Sequence, residues 1–480
     1  MRSIAVLIFF LAQSTCYSQR CKDFVFRYNT DPSKHRICSS ALLDDLKDLY
    51  DKLQTIHPDL YRYVTKEQLD SSYNFAVKQC SGDKTLLEFT EIVNVFLTSL
   101  KDSHTFINER ELLFYRPFSR HYFPMTLTFN NNKPIIVKSW RNSIPAGAEL
   151  IAINQWKIID LAYSAENMAP LESFAWGAKR ELSEQVLGSL INLKNPDKVN
   201  RYKFFIGQDT IVKQLKSPKF FHVRSELNSK SKPIDFQKLS SKKAILTIGT
   251  FSPNSLRGFK KKLDEVFLQI EKDSIQNLAI DLRDNTGGFI LLQEYLMSFL
   301  VPKGTKYPNH YVYKRSEFDR FEQLSRFQRW RFKRIAMQFY PNGAIAQEWD
   351  FYNSPMGTMD TVFNAPILSN KYNLIFTGAC TVFINGMSMS AAANFTSWFQ
   401  KIQRGLVIGT QASGTQGGTF ANPAPLFMNN TMIPVFISTM KINGPTETPN
   451  APINPDVYIS PSLEDYIQQN DPLKTYFIHQ

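Results

Sequence analysis

Apolar residues recur in the first part of the chain with the spacing of amphipathic helices. Leu42, Leu46 and Leu49 follow one another at intervals of three and four, and Phe89 and Val93 repeat the pattern. An α-helix completes a turn in 3.6 residues, so this spacing places the apolar side chains on one face. A helical region is therefore predicted over residues 19–114.

The pattern changes to alternation between residues 115 and 218. Met125, Leu127 and Phe129 alternate with polar positions, a run of three asparagines follows, and Ile135 continues the apolar side. Alternation with a period of two is typical of half-buried β-strands, and asparagine runs favour turns. This segment is predicted to be a compact, mostly β module.

Strands and helices alternate over residues 219–480. An apolar run at 244–248 precedes a helical pattern at 254–272, and a second apolar run at 278–283 follows. Such an order predicts an α/β layered domain. The second run ends in Asp284-Asn285-Thr286-Gly287-Gly288, where glycines let backbone N–H groups approach a ligand closely. An ordinary strand-to-helix turn is the alternative.

Size and charge narrow the class of protein. The chain has 480 residues, which exceeds what one core usually covers, so two or three domains are expected. Its net charge of +13 is spread along the sequence without a long basic run or a nucleic-acid motif. Nucleic acid is therefore not predicted as a partner.

The first residues predict export. Met1 and Arg2 precede a short apolar run that ends in small and polar residues, which is typical of a secretory signal, and we place it at 1–18. The run is too short to span a bilayer, so no integral membrane segment is expected after its removal. The protein is expected in the periplasm or outside the cell. Lipidation at Cys16, which would attach it to a membrane, stays open.

The cysteines and histidines indicate no metal site. Removal of 1–18 leaves four cysteines, of which Cys21 and Cys38 are the expected disulfide pair. No two cysteines have the close spacing of a zinc site, and the histidines are scattered. His57 precedes a proline and is assigned to a turn with a packing role. Neither a metal nor another cofactor is predicted.

One serine stands at a junction that suits a nucleophile. The apolar run Val382–Ile384 ends at Asn385-Gly386, and small residues then lead into a helical pattern whose first turn contains Ser390. Unpaired N–H groups and the helix dipole would stabilise an oxyanion forming there. A simple capping role for Ser388 or Ser390 is the alternative.

One histidine is the best candidate for a general base. His104 follows the predicted helices within Asp102-Ser103-His104-Thr105, between small hydroxyl residues. An ordinary surface loop is the alternative, because isolated histidines are rarely catalytic. The other histidines lie in segments without a further reactive group.

These motifs together resemble the C-terminal processing (tail-specific) peptidases, a family of serine proteases. Asp281–Gly288 is similar to the family's Asp-Leu-Arg-x-Asn-x-Gly-Gly signature, and Gly386–Phe395 is similar to its nucleophile segment. The resemblance implies a crotonase-like catalytic domain at 219–480, with Ser390 as nucleophile. It also implies that the β module is a PDZ-like domain that binds substrate peptide.

A departure from the family pattern points to one of its branches. Thr415 stands where the processing peptidases carry their lysine base, whereas Asp102–Thr105 resembles the Asp-x-His-Thr motif of the tricorn-type branch. That branch uses a histidine base and a glutamate, for which Glu447 is the candidate. The resemblance then implies His104 as base, held by Glu447 directly or through the Ser103 hydroxyl.

The remaining roles follow from the same resemblance. The oxyanion would be bound by the backbone N–H groups of Gly287 or Gly288 and of Ala391. The expected function is an exported serine endopeptidase acting on polypeptides. A non-catalytic peptide-binding protein on the same fold is the alternative, because the family's lysine is absent. The oligomeric state is not predicted.

Overall fold

A computed structural model describes most of the chain. The described ranges are 32–107, 121–130, 133–195, 197–219, 232–306, 309–316, 354–364, 368–444 and 450–480, with single residues at 330, 446 and 448. The predicted signal at 1–18, Cys21 and Glu447 lie outside the described residues. Cys38 is disulfide-bonded, whereas Cys80 and Cys380 are free and buried.

Three helices open the described chain. They are α1 (Ser39–Ile56), α2 (Lys66–Gln79) and α3 (Leu86–Thr98), with a short pair of strands, β1 (Arg36–Ile37) and β2 (Lys84–Thr85), beside them. Thr65 and Thr85 cap α2 and α3 in capping boxes. The apolar faces predicted from the spacing are buried, with Leu42, Leu46 and Leu49 fully enclosed. The helices predicted from this spacing are present among the described residues.

The β module is a sheet covered by two helices. Its strands have the order β4-β5-β6-β8-β9, with β7 paired to β6. Its elements are β4 (Met125–Asn130), β5 (Lys133–Ser139), β6 (Glu149–Ile153), β7 (Trp156–Lys157), α4 (Ile158–Met168), α5 (Lys179–Lys194), β8 (Val199–Ile206) and β9 (Asp209–Lys216). The predicted strands are present, whereas the two helices, which complete its apolar core, were not predicted.

A second sheet carries the main apolar core. Its order is β10-β11-β12-β15-β16-β19, and all its pairs are parallel except that of β10 with β11. The strands are β10 (Asp235–Lys238), β11 (Lys243–Thr247), β12 (Asn277–Asp281), β15 (Ala379–Ile384), β16 (Leu406–Gly409) and β19 (Val457–Tyr458). The helices that follow its strands are α6 (Leu256–Lys272), α7 (Ile290–Met297) and α8 (Ala391–Lys401). This arrangement confirms the α/β prediction.

A third, antiparallel sheet joins the N-terminal helices to the α/β domain. Its order is β14-β13-β18-β17, and β3 pairs with β18. The strands are β3 (Phe106–Ile107), β13 (Asn309–Lys314), β14 (Met359–Asn364), β17 (Gly418–Phe427) and β18 (Pro434–Asn443). Apolar side chains of β17 and β18 lie in the same core as those of α1 and α3. The N-terminal helices therefore pack directly on the sheet.

The chain ends in two short helices, α9 (Leu463–Gln468) and α10 (Pro472–His479). Leu473 and Phe477 of α10 pack on the sheet beside Phe383. Within the described residues, no helix has the length and hydropathy needed to cross a membrane.

Two neighbouring parallel strands bring the candidate motifs together. Asp281 at the end of β12 pairs with Phe383 near the end of β15. The glycine turn at 284–288 and the serine turn at 385–390 therefore leave the same edge of the sheet. Crevices at the carboxyl ends of parallel strands are common ligand sites in α/β proteins.

Candidate active site

Ser390 stands in a strained turn between β15 and α8. It is the N-cap of α8, so it lies one residue before the helix that was predicted to contain it. Its φ of 51° and ψ of −117° are unusual for a residue with a side chain. Such strain persists where the surroundings enforce it and clusters at functional sites.

His104 lies beside Ser390 although 286 residues separate the two. The His104 Nε2 atom is 3.2 Å from Ser390 Oγ. The histidine occupies the turn between α3 and β3, and β3 pairs with β18 through Phe106 and Ile107. This strand pairing ties the turn after α3 to the third sheet.

A relay of hydrogen bonds continues behind His104. The Ser103 hydroxyl is 3.1 Å from His104 Nδ1 and donates to Glu172 Oε2 at 2.7 Å. The Ser103 N–H donates to the same oxygen, and the Tyr63 hydroxyl donates to Glu172 Oε1. Because the Ser103 hydroxyl donates its hydrogen to Glu172, its oxygen accepts a hydrogen bond from His104 Nδ1–H. This tautomer leaves Nε2 as the acceptor that faces the Ser390 hydroxyl.

Sequence reasoning missed Glu172. This residue is fully buried in the loop between α4 and α5. Its one signal is that it is an acid within an apolar stretch, between Leu171 and Phe174. Glu447, to which the resemblance assigned the carboxylate role, lies outside the described residues and stays a prediction.

Asp102 and His57 form a second buried pair next to the relay. His57 Nε2 donates to Asp102 Oδ2 at 3.0 Å, and both side chains are at most 2% exposed. The His104 N–H donates to Asp102 Oδ1 at 2.8 Å. The role predicted for His57, packing in a turn, is incomplete because the ring also bonds to the turn that carries His104.

The turn at 284–288 has one glycine N–H group available to bind an oxyanion. The Gly287 N–H donates to Asn285 Oδ1 at 2.9 Å, so it is already engaged. No acceptor for the N–H groups of Gly288 and Ala391 occurs among the described residues. Gly287 nevertheless packs on the serine, since a Cβ there would lie 2.6 Å from Ser390 Cβ. Gly288 and Ala391 are therefore the predicted oxyanion donors without an acceptor in the described part of the chain.

Burial shifts the pKa values of the ionisable groups in opposite directions. It lowers the pKa of His104 below its ordinary value, and the nearby Asp102 carboxylate opposes this change. Burial and then the Asp102 charge raise the pKa of Glu172 to about 7. Burial acts to raise the pKa of Asp102, but hydrogen bonds from His57 and other donors outweigh burial and hold that pKa below its ordinary value. His104 is therefore neutral, and able to accept a proton, at neutral pH.

Asp102, His104 and Glu172 are residue types that can bind a cation, but their polar atoms already make hydrogen bonds within the protein. Asp102, His104 and Glu172 each place one ligand atom within 4.8 Å of the others. Hydrogen bonds from protein groups reach both oxygens of each carboxylate. A metal ion there would have to displace Ser103 from His104.

Thr415, at the position of the family's lysine, is a neutral buried residue. Its hydroxyl donates to the Gly418 carbonyl, and the side chain is buried. A threonine in this state carries no charge and abstracts no proton.

Comparison with known proteins agrees with the motifs. Residues 242–459 match the model of peptidase family S41. A mutant of CPAF has a TM-score of 0.66 and 14% identity, covering 92% of this chain and 96% of its own. Mature CPAF complexed with lactacystin has a TM-score of 0.63 and 14% identity, covering 92% and 97%. Comparison with curated sequences gives no match.

At this identity the CPAF structures support the fold, while the family match covers both glycine and serine motifs. Residues 242–459 therefore belong to peptidase family S41, the family of the C-terminal processing peptidases, and the protein is a serine peptidase.

Proposed function

We propose that this protein is an exported endopeptidase in which Ser390 attacks the peptide bond and His104 is the general base. The observation that carries the proposal is the 3.2 Å separation of His104 Nε2 and Ser390 Oγ. This is a hydrogen-bond distance, so proton transfer needs no rearrangement. The leader-like segment at 1–18 supports export.

The acylation step uses the neutral imidazole. His104 takes the Ser390 proton as the oxygen bonds to the substrate carbonyl carbon, and it then protonates the leaving amine. The negative charge that forms on the carbonyl oxygen is accepted by the Gly288 and Ala391 N–H groups. Loss of one such donor typically costs about 3 kcal/mol of barrier. Water repeats the sequence in deacylation, with His104 again as base.

The Ser103 hydroxyl and Glu172 hold the ring of His104. Accepting from Nδ1–H and donating to Glu172 Oε2, Ser103 selects the tautomer that leaves Nε2 free. This assigns to Glu172 the role that the sequence gave to Glu447. Comparing Glu172→Gln with Glu447→Gln separates the two, since only the true partner should lower kcat about tenfold or more.

The finer architecture belongs to the same proposal. The parallel sheet with Ser390 at the end of β15 supports a crotonase-like catalytic domain at 219–480. The β module at 115–218 would be a PDZ-like domain that binds the peptide substrate. The Ser103, His104 and Glu172 relay favours the tricorn-type branch over the serine–lysine branch.

Hydrolysis of an unfolded polypeptide such as reduced casein tests the function. Ser390→Ala and His104→Ala should each lower the rate about a thousandfold or more, with the protein still folded. Ser397→Ala is the matched control, because Ser397 lies on the same helix and its hydroxyl bonds to Gln416. Near-native turnover by either active-site variant would refute the proposal.

A further inference from the structure

Two carboxylates flank His104, and their surroundings differ. Asp102 and Glu172 each have an oxygen within 4.8 Å of a ring nitrogen of His104. A serine peptidase needs one negative charge near its histidine, because the ring becomes an imidazolium in the transition state. The question is which of the two acids supplies that charge.

Asp102 is held as an anion by several donors. Its Oδ2 accepts from His57 Nε2 at 3.0 Å, from Thr105 Oγ1 at 2.5 Å and from Ser438 Oγ at 2.6 Å. Its Oδ1 accepts the N–H of His104 at 2.8 Å. Several hydrogen bonds to a buried carboxylate favour its ionised form.

His57 supports this charge without cancelling it. The Asp59 N–H donates to His57 Nδ1 at 3.2 Å, so that nitrogen is unprotonated and the proton sits on Nε2. A neutral ring donates a hydrogen bond to Asp102 but brings no positive charge.

The surroundings of Glu172, in contrast, act against its ionised form. It is fully buried, and the charge of Asp102 repels a second negative charge on it. Its pKa is raised to about 7, whereas that of His104 lies below its ordinary 6.5. Burial and the Asp102 charge therefore both act against a full second negative charge on Glu172.

We propose that Asp102 supplies the fixed negative charge that stabilises the His104 imidazolium, while Glu172 acts through Ser103 to orient the ring. Asp102 is thus a positioning residue that also sets the electrostatics of the base. The inference rests on the proposed function, in which His104 is that base.

Other charged groups near the cluster do not replace Asp102. Lys101 has its ammonium 3.9 Å from the centre of the Phe174 ring. Arg62 donates to the Gly417 carbonyl and acts on Glu172 as a positive charge. Tyr63 donates to Glu172 and stays neutral, since burial and Glu172 raise its pKa. Neither cation can supply the negative charge that a His104 imidazolium needs.

The pH dependence of kcat/KM separates the two acids. In Asp102→Asn the acid limb of the kcat/KM profile should move to lower pH by about one unit or more. The reason is that the substitution removes a nearby negative charge that raised the pKa of His104. The plateau of kcat should fall about tenfold or more, with KM little changed. In Glu172→Gln the limb should stay within about 0.3 unit of the wild type while kcat falls. Asp264→Asn, which removes a buried acid bonded to Tyr295, is the control.

The pH profiles of the two variants can contradict the inference. An unmoved limb in Asp102→Asn, or a downward move of a full unit in Glu172→Gln, would overturn the inference. If Asp102→Asn does not fold, Glu172→Gln still decides, supported by NMR titration of His104 in Ser390→Ala. In the Ser390→Ala protein, the pKa of the His104 ring should be the same with and without the Glu172→Gln substitution. If hydrolysis does not require Ser390, the proposed function fails instead.

Discussion

Glu181→Gln should stabilise the protein at alkaline pH and leave it unchanged at acid pH. Glu181 lies in the first turn of α5 and joins the β module to the nucleophile segment. Its Oε1 accepts from Thr410 Oγ1 at 3.1 Å, and a Cβ on Gly386 would overlap with its Oε2. That Oε2 is buried without a hydrogen-bond partner among the described residues. Ionisation therefore places a buried negative charge in the interface, where the charge of Glu184 repels it.

The size of the effect follows from the pKa of this carboxyl. Burial, and then repulsion by Glu184, raises the pKa of Glu181 from 4.5 to about 7. The folded state binds the proton more tightly than the unfolded state, so stability falls as pH rises from about 4.5 and the full cost is present above about 7. The difference corresponds to about 3 kcal/mol at most. Glutamine carries no charge and should recover about 2 kcal/mol of this at pH 8.5.

Urea unfolding of the Ser390→Ala protein, which prevents self-cleavage, measures the gain at pH 4.5 and pH 8.5. Glu166→Gln is the matched control, because Glu166 is 54% exposed and pairs only loosely with Lys179. An equal change at both pH values, or destabilisation at pH 8.5, would refute the reasoning.

The remaining predictions concern the active site. Gly287→Ala should lower hydrolysis at least a hundredfold, since its Cβ would lie 2.6 Å from Ser390 Cβ. Gly357→Ala, also at positive φ but with open space around it, should stay active. Thr415→Ala should keep most of the turnover in the casein assay, because its hydroxyl donates to the Gly418 carbonyl and carries no charge; a loss as large as that of Ser390→Ala would contradict this. The wild-type kcat/KM should rise with pH through an ionisation below 6.5, since burial lowers the pKa of His104; a rise near pH 9 would indicate a lysine base.

Local patterns predicted the elements that carry the site. The spacing of Leu42, Leu46 and Leu49 belongs to α1, and the apolar run before Asn385 belongs to β15. Ser390 was placed one residue inside α8, where hydrophobic spacing does not resolve a helix boundary. The proximity of His104 and Ser390 came from the family resemblance, because no periodicity relates residues so far apart.

The supporting residues could not be predicted from local pattern. Glu172 reaches Ser103 across 69 positions and Asp102 reaches His57 across 45, and both contacts exist only after the elements have packed. The Gly287 N–H was predicted as an oxyanion donor because the motif shows the glycine but not the Asn285 side chain that engages it. Such contacts form through tertiary packing, and no periodic pattern in the sequence indicates them.

Covalent labelling tests the central claim most directly. A fluorophosphonate probe followed by mass mapping should place the adduct on Ser390 alone, because its hydroxyl is within hydrogen-bond distance of His104 Nε2. His104→Ala should slow labelling about a thousandfold in a protein that is still folded. An adduct on Ser388 with Ser390 unmodified, or labelling of Ser390 that is indifferent to His104, would contradict the account.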